Sequence, residues 1–394
     1  MDTSPFASLW TLDPSVEYLN HGSYGACPRA ILERQWELRL ELEREPMDFL
    51  SRRWNGRLEE ARAEVARFLG ARSEDLAFVT NATSGANAVL RGLTLSAGDE
   101  ILTTDHAYAA CRKAAAFVAR RWGARVVTVA IPFPLDGADA LVEPVLAAVT
   151  PKTKLALLDH VTSPTALVLP IERLVRELRA RGVETLVDGA HAPGSVPIDL
   201  DALGAAYYTG NAHKWLCAPK GAAFLHVRRD LQGGVHPLVI SHGYEADQEG
   251  RRFREEFDWT GTCDPTAWLV LPDCIRFLGG LLPGGWPELM ARNRALALRA
   301  RDILCETLGV PGACPDELIG SLASLPLPVA QGGSPVATLD HEKLMDWTRA
   351  RGVESWFCWW PVPSGRLVRV SAQAYNHEAQ YRRLAGLLQE ALRG

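Results

Sequence analysis

Two residues of this chain are suited to hold an aldehyde cofactor and draw electrons into it. Asp188 ends the apolar run Thr185-Leu186-Val187, and Lys214 lies in the short polar stretch Asn211-Ala212-His213-Lys214-Trp215. A lysine amine condenses with an aldehyde as a Schiff base, which a guanidinium cannot do. A carboxylate opposite a pyridine nitrogen keeps that nitrogen protonated, so the ring acts as an electron sink. The pair therefore points to pyridoxal 5'-phosphate (PLP). Lysine is scarce in this arginine-rich chain: Lys113, Lys152, Lys154, Lys214, Lys220 and Lys343 are the only ones. Lys113 and Lys343 fall in helical patterns, and Lys152 and Lys154 follow a proline turn. Lys220, in Ala218-Pro219-Lys220-Gly221, is the rival, read as a turn lysine. Asp188 has a plain alternative use as a cap in Asp188-Gly189-Ala190, but an unpaired carboxylate at the end of a buried strand is costly. A pyridinium N–H answers that cost.

These residues need a scaffold, and the chain's periodicity supplies one. Apolar runs at 76–80, 100–103, 125–129, 154–158, 184–187 and 222–226 read as strands, and 84–93, 108–122, 139–149 and 171–181 carry helical spacing. Strand–helix alternation with nearly all-apolar strands predicts an α/β fold with a mostly parallel sheet buried on both faces. Ligands of such sheets sit beyond the carboxyl ends of the strands. Thr80-Asn81-Ala82-Thr83-Ser84-Gly85 joins one strand to a helix start, where free N–H groups and hydroxyls cradle a phosphate. Alone it reads as an N-cap; with Lys214 downstream it reads as a phosphate site. His191 and His213 read singly as core histidines, but beside the two anchors they read as cofactor contacts.

Outside this block, 28–70 reads as two charged helices around Glu45-Pro46 and 272–308 as helical, while 309–335 is rich in Pro and Gly. A helix at 340–351, strands at 352–356 and 366–371 and a helix from Asn376 close the chain. The expected organisation is an N-terminal segment (1–27) joining a small C-terminal α+β domain (271–394), with a large domain at 28–270. At 394 residues, 47% of them hydrophobic, the chain is enzyme-sized and can bury a large core. A net charge of -5 with interspersed charges gives no reason to expect nucleic acid. No apolar stretch long enough for a membrane span and no leader pattern occur, so the expectation is a cytoplasmic protein. The eight scattered cysteines show no metal-ligand spacing and read as reduced thiols.

Several motifs then combine in order along nearly the whole chain: Leu19-Asn20-His21-Gly22-Ser23-Tyr24-Gly25, Asn81-Ala82-Thr83, Asp159-His160-Val161-Thr162-Ser163-Pro164-Thr165, Asp188-Gly189-Ala190-His191, His213-Lys214-Trp215 and Arg369-Val370-Ser371-Ala372-Gln373. Together they resemble the class V aminotransferase family of PLP enzymes, and within it the isopenicillin N epimerase-like members. The resemblance implies fold type I and a homodimer with sites at the subunit interface. It implies Lys214 as the Schiff-base lysine and α-proton base, Asp188 as the partner of the pyridine nitrogen, and His191 as a neighbour of the ring's phenolic oxygen. It implies phosphate contacts from Ala82, Thr83, Asn211 and His213, and from Thr262 across the dimer. Ring stacking falls to Tyr108 or His106, and a ring-oxygen contact to Ser163 with Thr162 as rival.

Arg369 is implied as the grip on an amino acid's α-carboxylate, which suits a bidentate guanidinium. Asn20, His21 and Tyr24 would line the same cleft. Epimerisation, β-elimination of a cysteine conjugate or sulfoxide, and transamination all begin with loss of the α-proton, and the motifs do not choose among them. Cys358 stands where desulfurases of this class carry a sulfur-accepting loop cysteine, in a local sequence unlike theirs. The neighbouring Trp356, Phe357, Trp359 and Trp360 read as core packing, with a substrate wall as the other use.

Overall fold

The computed structural model describes residues 3–245, 251–330, 332–360 and 365–393. Its strands, in chain order, are β1 (Glu17–Tyr18), β2 (Leu76–Val79), β3 (Glu100–Thr104), β4 (Arg125–Val129), β5 (Thr153–Asp159), β6 (Glu184–Asp188), β7 (Tyr207–Asn211), β8 (Ala223–Val227), β9 (Leu322–Pro326), β10 (Val353–Glu354), β11 (Trp356–Trp359) and β12 (Arg366–Ser371). Seven form one sheet in the order β2-β8-β7-β6-β5-β3-β4, in which β8 alone runs antiparallel to its neighbours. Residues of β2, β3, β7 and β8 are buried throughout, so both faces are covered and the strands read as continuous apolar runs. One apolar core lies on each side of the sheet.

The helices follow from amphipathic spacing. Ile171, Leu174, Val175 and Leu178 are the buried stripe of Ile171–Ala180. Helix Ala82–Gly92 begins at Asn81, whose Oδ1 accepts from the Ser84 N–H at 2.8 Å. The two charged helices expected before the sheet are Arg29–Arg44 and Trp54–Leu69.

A second sheet, β11-β12-β9, is antiparallel and packs its Phe357 and Val368 against Ile303 and Leu304 of helix Gly285–Leu308 and Leu384 and Leu388 of helix Glu378–Arg393. The N-terminal segment joins this unit: Glu17 of β1 pairs in parallel register with Val353 of β10.

Three expectations change. Strand β7 was not foreseen, because Gly210-Asn211 has turn chemistry; in the sheet that strand is fully buried and leads directly to Lys214. Strand β9 emerges from the stretch expected to be irregular. The single strand expected at 352–356 is divided at buried Ser355 into β10 and β11, which belong to different sheets. Among the described residues no helix is long and apolar enough to cross a membrane, and all eight cysteines are free thiols.

Candidate active site

The carboxyl ends of the parallel strands converge on a cavity of about 350 Å³. Ten of the residues singled out in the sequence form its wall: Tyr24, Ala82, Thr83, Tyr108, Ser163, Asp188, His191, Asn211, His213 and Lys214. They come from different strand ends because parallel register brings those ends level, as Asp159, Asp188 and Thr209 show on β5, β6 and β7.

Lys214 lies in the turn after β7, and its Nζ is 2.9 Å from His191 Nε2. Burial, with Arg369 adding repulsion, lowers its ammonium from 10.5 to about 7. The same burial, reinforced by Lys214, pushes His191 well below the usual histidine range, so His191 is neutral. The rival lysine is turned elsewhere: Lys220 Nζ donates to the Gly25 carbonyl at 2.9 Å.

At one end of the cavity the Asn211 Oδ1 accepts from the Ala82 N–H at 2.8 Å, fixing the start of helix Ala82–Gly92 against β7. The Thr83 N–H and hydroxyl have no hydrogen-bond partner among the described residues. His213 donates from Nδ1 to the Ala222 carbonyl at 3.0 Å, which leaves Nε2 without a partner there. A helix start with open donors is an anion site. At the other end Asp188 Oδ1 accepts from the Ala190 N–H at 3.0 Å and Oδ2 from the Cys111 thiol at 3.1 Å. An open phosphate cradle, a buried carboxylate opposite it and a low-pKa amine between them fit the donor set of PLP.

Arg369 is 1% exposed and sits behind the wall. Its Nη1 donates to the Ser163 carbonyl at 2.6 Å and its Nη2 to Ser23 Oγ at 2.9 Å and Asn20 Oδ1 at 3.3 Å. Trp356 covers the guanidinium, 4.3 Å from Cζ to the ring centroid, and Nε has no partner.

Three positions, His106, Thr162 and His21, lie elsewhere than the sequence suggested. His106 is not at the ring face: its Nδ1 meets Thr165 Oγ1 at 2.7 Å and its Nε2 the Ile131 carbonyl at 3.0 Å, so Tyr108 alone occupies the cavity wall. Thr162 likewise is committed to Thr165 and to the Leu167 N–H, leaving Ser163 at the wall. His21 is beneath the lysine turn, not in the cleft. It donates from Nε2 to the Lys214 carbonyl at 2.9 Å and accepts from the Tyr375 hydroxyl at 2.8 Å. Burial lowers it to about 3, in keeping with a neutral ring in that role. Thr262 is exposed and outside its own chain's cavity.

The aromatic cluster divides its work. Phe357 is core, Trp356 covers Arg369, Trp359 covers Arg366, and Trp360 meets His106 edge-on. Cys358 sits in β11 paired with Leu367, and burial raises its thiol to about 12, which suits a packed cysteine and not a mobile nucleophile. Sequence reasoning missed Asp159, Ser23 and Cys111. Asp159 carried a signal: like Asp188, it is a carboxylate that ends an apolar strand.

The sequence model of the family described as Aminotransferase class-V matches residues 44–306. The chain is similar to isopenicillin N epimerase of Amycolatopsis lactamdurans, 40% identical over 96% of each chain. It is also similar to the probable chloroplastic L-cysteine desulfhydrase of Arabidopsis thaliana, 32% identical over 94% of this chain and 82% of the relative. Among solved structures, the apo cysteine desulfurase of Thermococcus onnurineus NA1 superposes with a TM-score of 0.80 over 100% of this chain and 99% of that one; at 20% identity this speaks for the fold. With the family matched over most of its length, the chain belongs to the class V aminotransferase family and is a PLP-dependent enzyme of fold type I.

Proposed function

We propose that the enzyme inverts the α-carbon of an amino acid or amino-acid conjugate, as an isopenicillin N epimerase-like enzyme. The observation that carries this is the Lys214 amine, buried in the cavity, lowered to about 7 and held at 2.9 Å from a neutral histidine. When bound, PLP supplies an electron sink for the pair left on the α-carbon. Lys214 then takes the α-proton, being close to its own pKa at neutral pH. Asp188 would hold the pyridine nitrogen protonated, and His191 orients the lysine. Arg369 exchanges its Ser163, Ser23 and Asn20 contacts for the substrate's α-carboxylate, and Trp356, stacked on the planar guanidinium, shields it from water. Tyr108 would cover the cofactor ring, while Tyr24, 72% exposed, lines the same cavity. The full-length similarity to epimerases supports this reading over transamination.

A second copy of the chain completes the site in this reading. Thr262, exposed and outside its own chain's cavity, would reach the partner's phosphate, which makes the working unit a homodimer.

The similarity to L-cysteine desulfhydrases favours a second reading, β-elimination from a cysteine derivative. A panel of amino acids, cysteine conjugates and sulfoxides incubated in D₂O separates the two. Epimerisation gives deuterium at the α-carbon and the opposite stereoisomer; elimination gives ammonia and a 2-oxo acid. Elimination without any α-deuterated, inverted amino acid would overturn the first reading.

A further inference from the structure

Asp159 and Asp188 are register partners on adjacent parallel strands, β5 and β6, and both line the cavity. Each is 3% exposed, and no lysine or arginine among the described residues forms an ion pair with either. Two carboxylates so placed and so dry cannot both be ionised at modest cost. Their hydrogen-bond donors differ. Asp188 receives an N–H from Ala190 and the S–H of Cys111, one on each oxygen. Asp159 receives one long bond, from the Tyr108 N–H at 3.3 Å on Oδ1, and its Oδ2 has no partner.

We propose that the two acids form a divided pair, in which Asp159 keeps its proton at neutral pH and Asp188 alone carries the charge that holds the pyridine nitrogen. Cys111 marks the charged member by giving its thiol hydrogen to it, and Asp159 limits the cavity to a single negative charge. Burial and the neighbouring acid favour this division, and two cations, Arg112 and Lys214, oppose it. Burial first, then the Asp188 charge, raises Asp159 well above the carboxylate range, while Arg112 opposes weakly from helix Ala109–Trp122. Burial and Asp188 raise the Cys111 thiol, keeping its hydrogen in place. Lys214, across the cavity, favours both charged carboxylates, and the Tyr108 side chain, raised by burial, stays neutral. Asp159 is thus a positioning residue that acts through Asp188, and this assignment rests on the PLP reading above.

The test is the pH dependence of urea unfolding for wild type and Asp159→Asn at saturating PLP. An acid with a raised folded-state pKa contributes stability at low pH and loses it as pH rises past the unfolded value of 3.8. The wild-type folding constant is therefore expected to fall about tenfold per pH unit relative to Asp159→Asn between pH 5 and 7. A flat ratio across that window overturns the proposal. In parallel, Asp159→Asn is expected to bind PLP within about threefold of wild type, whereas Asp188→Asn loses roughly a hundredfold. Equal losses in the two variants also overturn it. Should Asp159→Asn fail to fold, infrared spectroscopy of the wild-type holoenzyme at pH 7.5 decides. The carbonyl stretch of a protonated carboxyl is expected and its absence refutes the assignment, Asp258 being ionised there with a pKa of about 6. Failure of the PLP reading looks different, since wild type would then bind no cofactor at all.

Discussion

Two hollows among the described residues make a contrast, and the much smaller one carries the chemistry. The larger, about 930 Å³, lies between helix Ile171–Ala180 and helix Gly285–Leu308, walled by Val196, Ile198, Trp286 and Met290. Two of its arginines are already engaged: Arg173 is held by Asp139 and Glu143, and Arg294 donates to the Ile319 and Asp316 carbonyls. The smaller, about 350 Å³, leaves Thr83, His213 Nε2 and Asp159 Oδ2 open and holds a lysine far from its ordinary pKa. Size measures room for a ligand. Unmet polar groups and displaced pKa values measure what the protein has prepared for one.

This contrast can be broken experimentally, most sharply at Lys214. Lys214→Ala is expected to lower turnover by about 10²–10⁴-fold or more, the value of a positioned acid–base group, and to remove the visible absorption of lysine-bound cofactor. If Lys220→Ala did this and Lys214→Ala did not, the assignment of the smaller cavity would fail. Arg369→Ala is expected to weaken substrate capture by roughly 10–100-fold in kcat/KM, as loss of a charge-assisted hydrogen-bonded grip, with the cofactor spectrum intact. Steady-state kinetics and absorbance on the same preparation check both.

The depressed lysine sharpens the comparison through pH. Only the neutral amine captures an aldehyde, so PLP uptake by the cofactor-free chain should slow about tenfold per pH unit below the amine's pKa. The bend is expected near pH 7, where an ordinary lysine would place it near 10.5; stopped-flow mixing across pH 5–9 locates it. In the larger hollow, Met290→Ala should change kcat/KM by less than about twofold, because no group there touches the reaction, with only a modest loss of stability. A large kinetic effect there would mean that the two hollows are coupled.

The parallel sheet, Asp188, Lys214 and Thr83 were legible in the sequence for one reason: each sits where an apolar run ends and polar chemistry begins. Strand β7 escaped because Gly210-Asn211 resembles a turn, although burial on both faces overrides that local preference. The choice of Tyr108 over His106 was not legible, since both follow the same strand end. It is decided by Thr165 and Ile131, which hold the histidine from other parts of the chain. His21 was misplaced for a related reason. A histidine's neighbours in space, here Tyr375 and the Lys214 carbonyl, do not show in its neighbours in sequence. The division between Asp159 and Asp188 depends on a thiol from a third element, which spacing cannot convey.

Gly25 has a positive φ of 71°, and a Cβ built there would lie 2.1 Å from the His213 carbonyl oxygen. The lysine turn is thus moulded against a segment nearly two hundred residues earlier, which also bonds to Tyr375 near the other extreme of the chain. During synthesis, a ribosome would have to deliver Tyr375 before that segment could find all its partners. The large sheet can be assembled by then, while His21, the support beneath the catalytic amine, still lacks its Tyr375 partner. The working position of the amine is in this sense held in common by residues far apart along the chain.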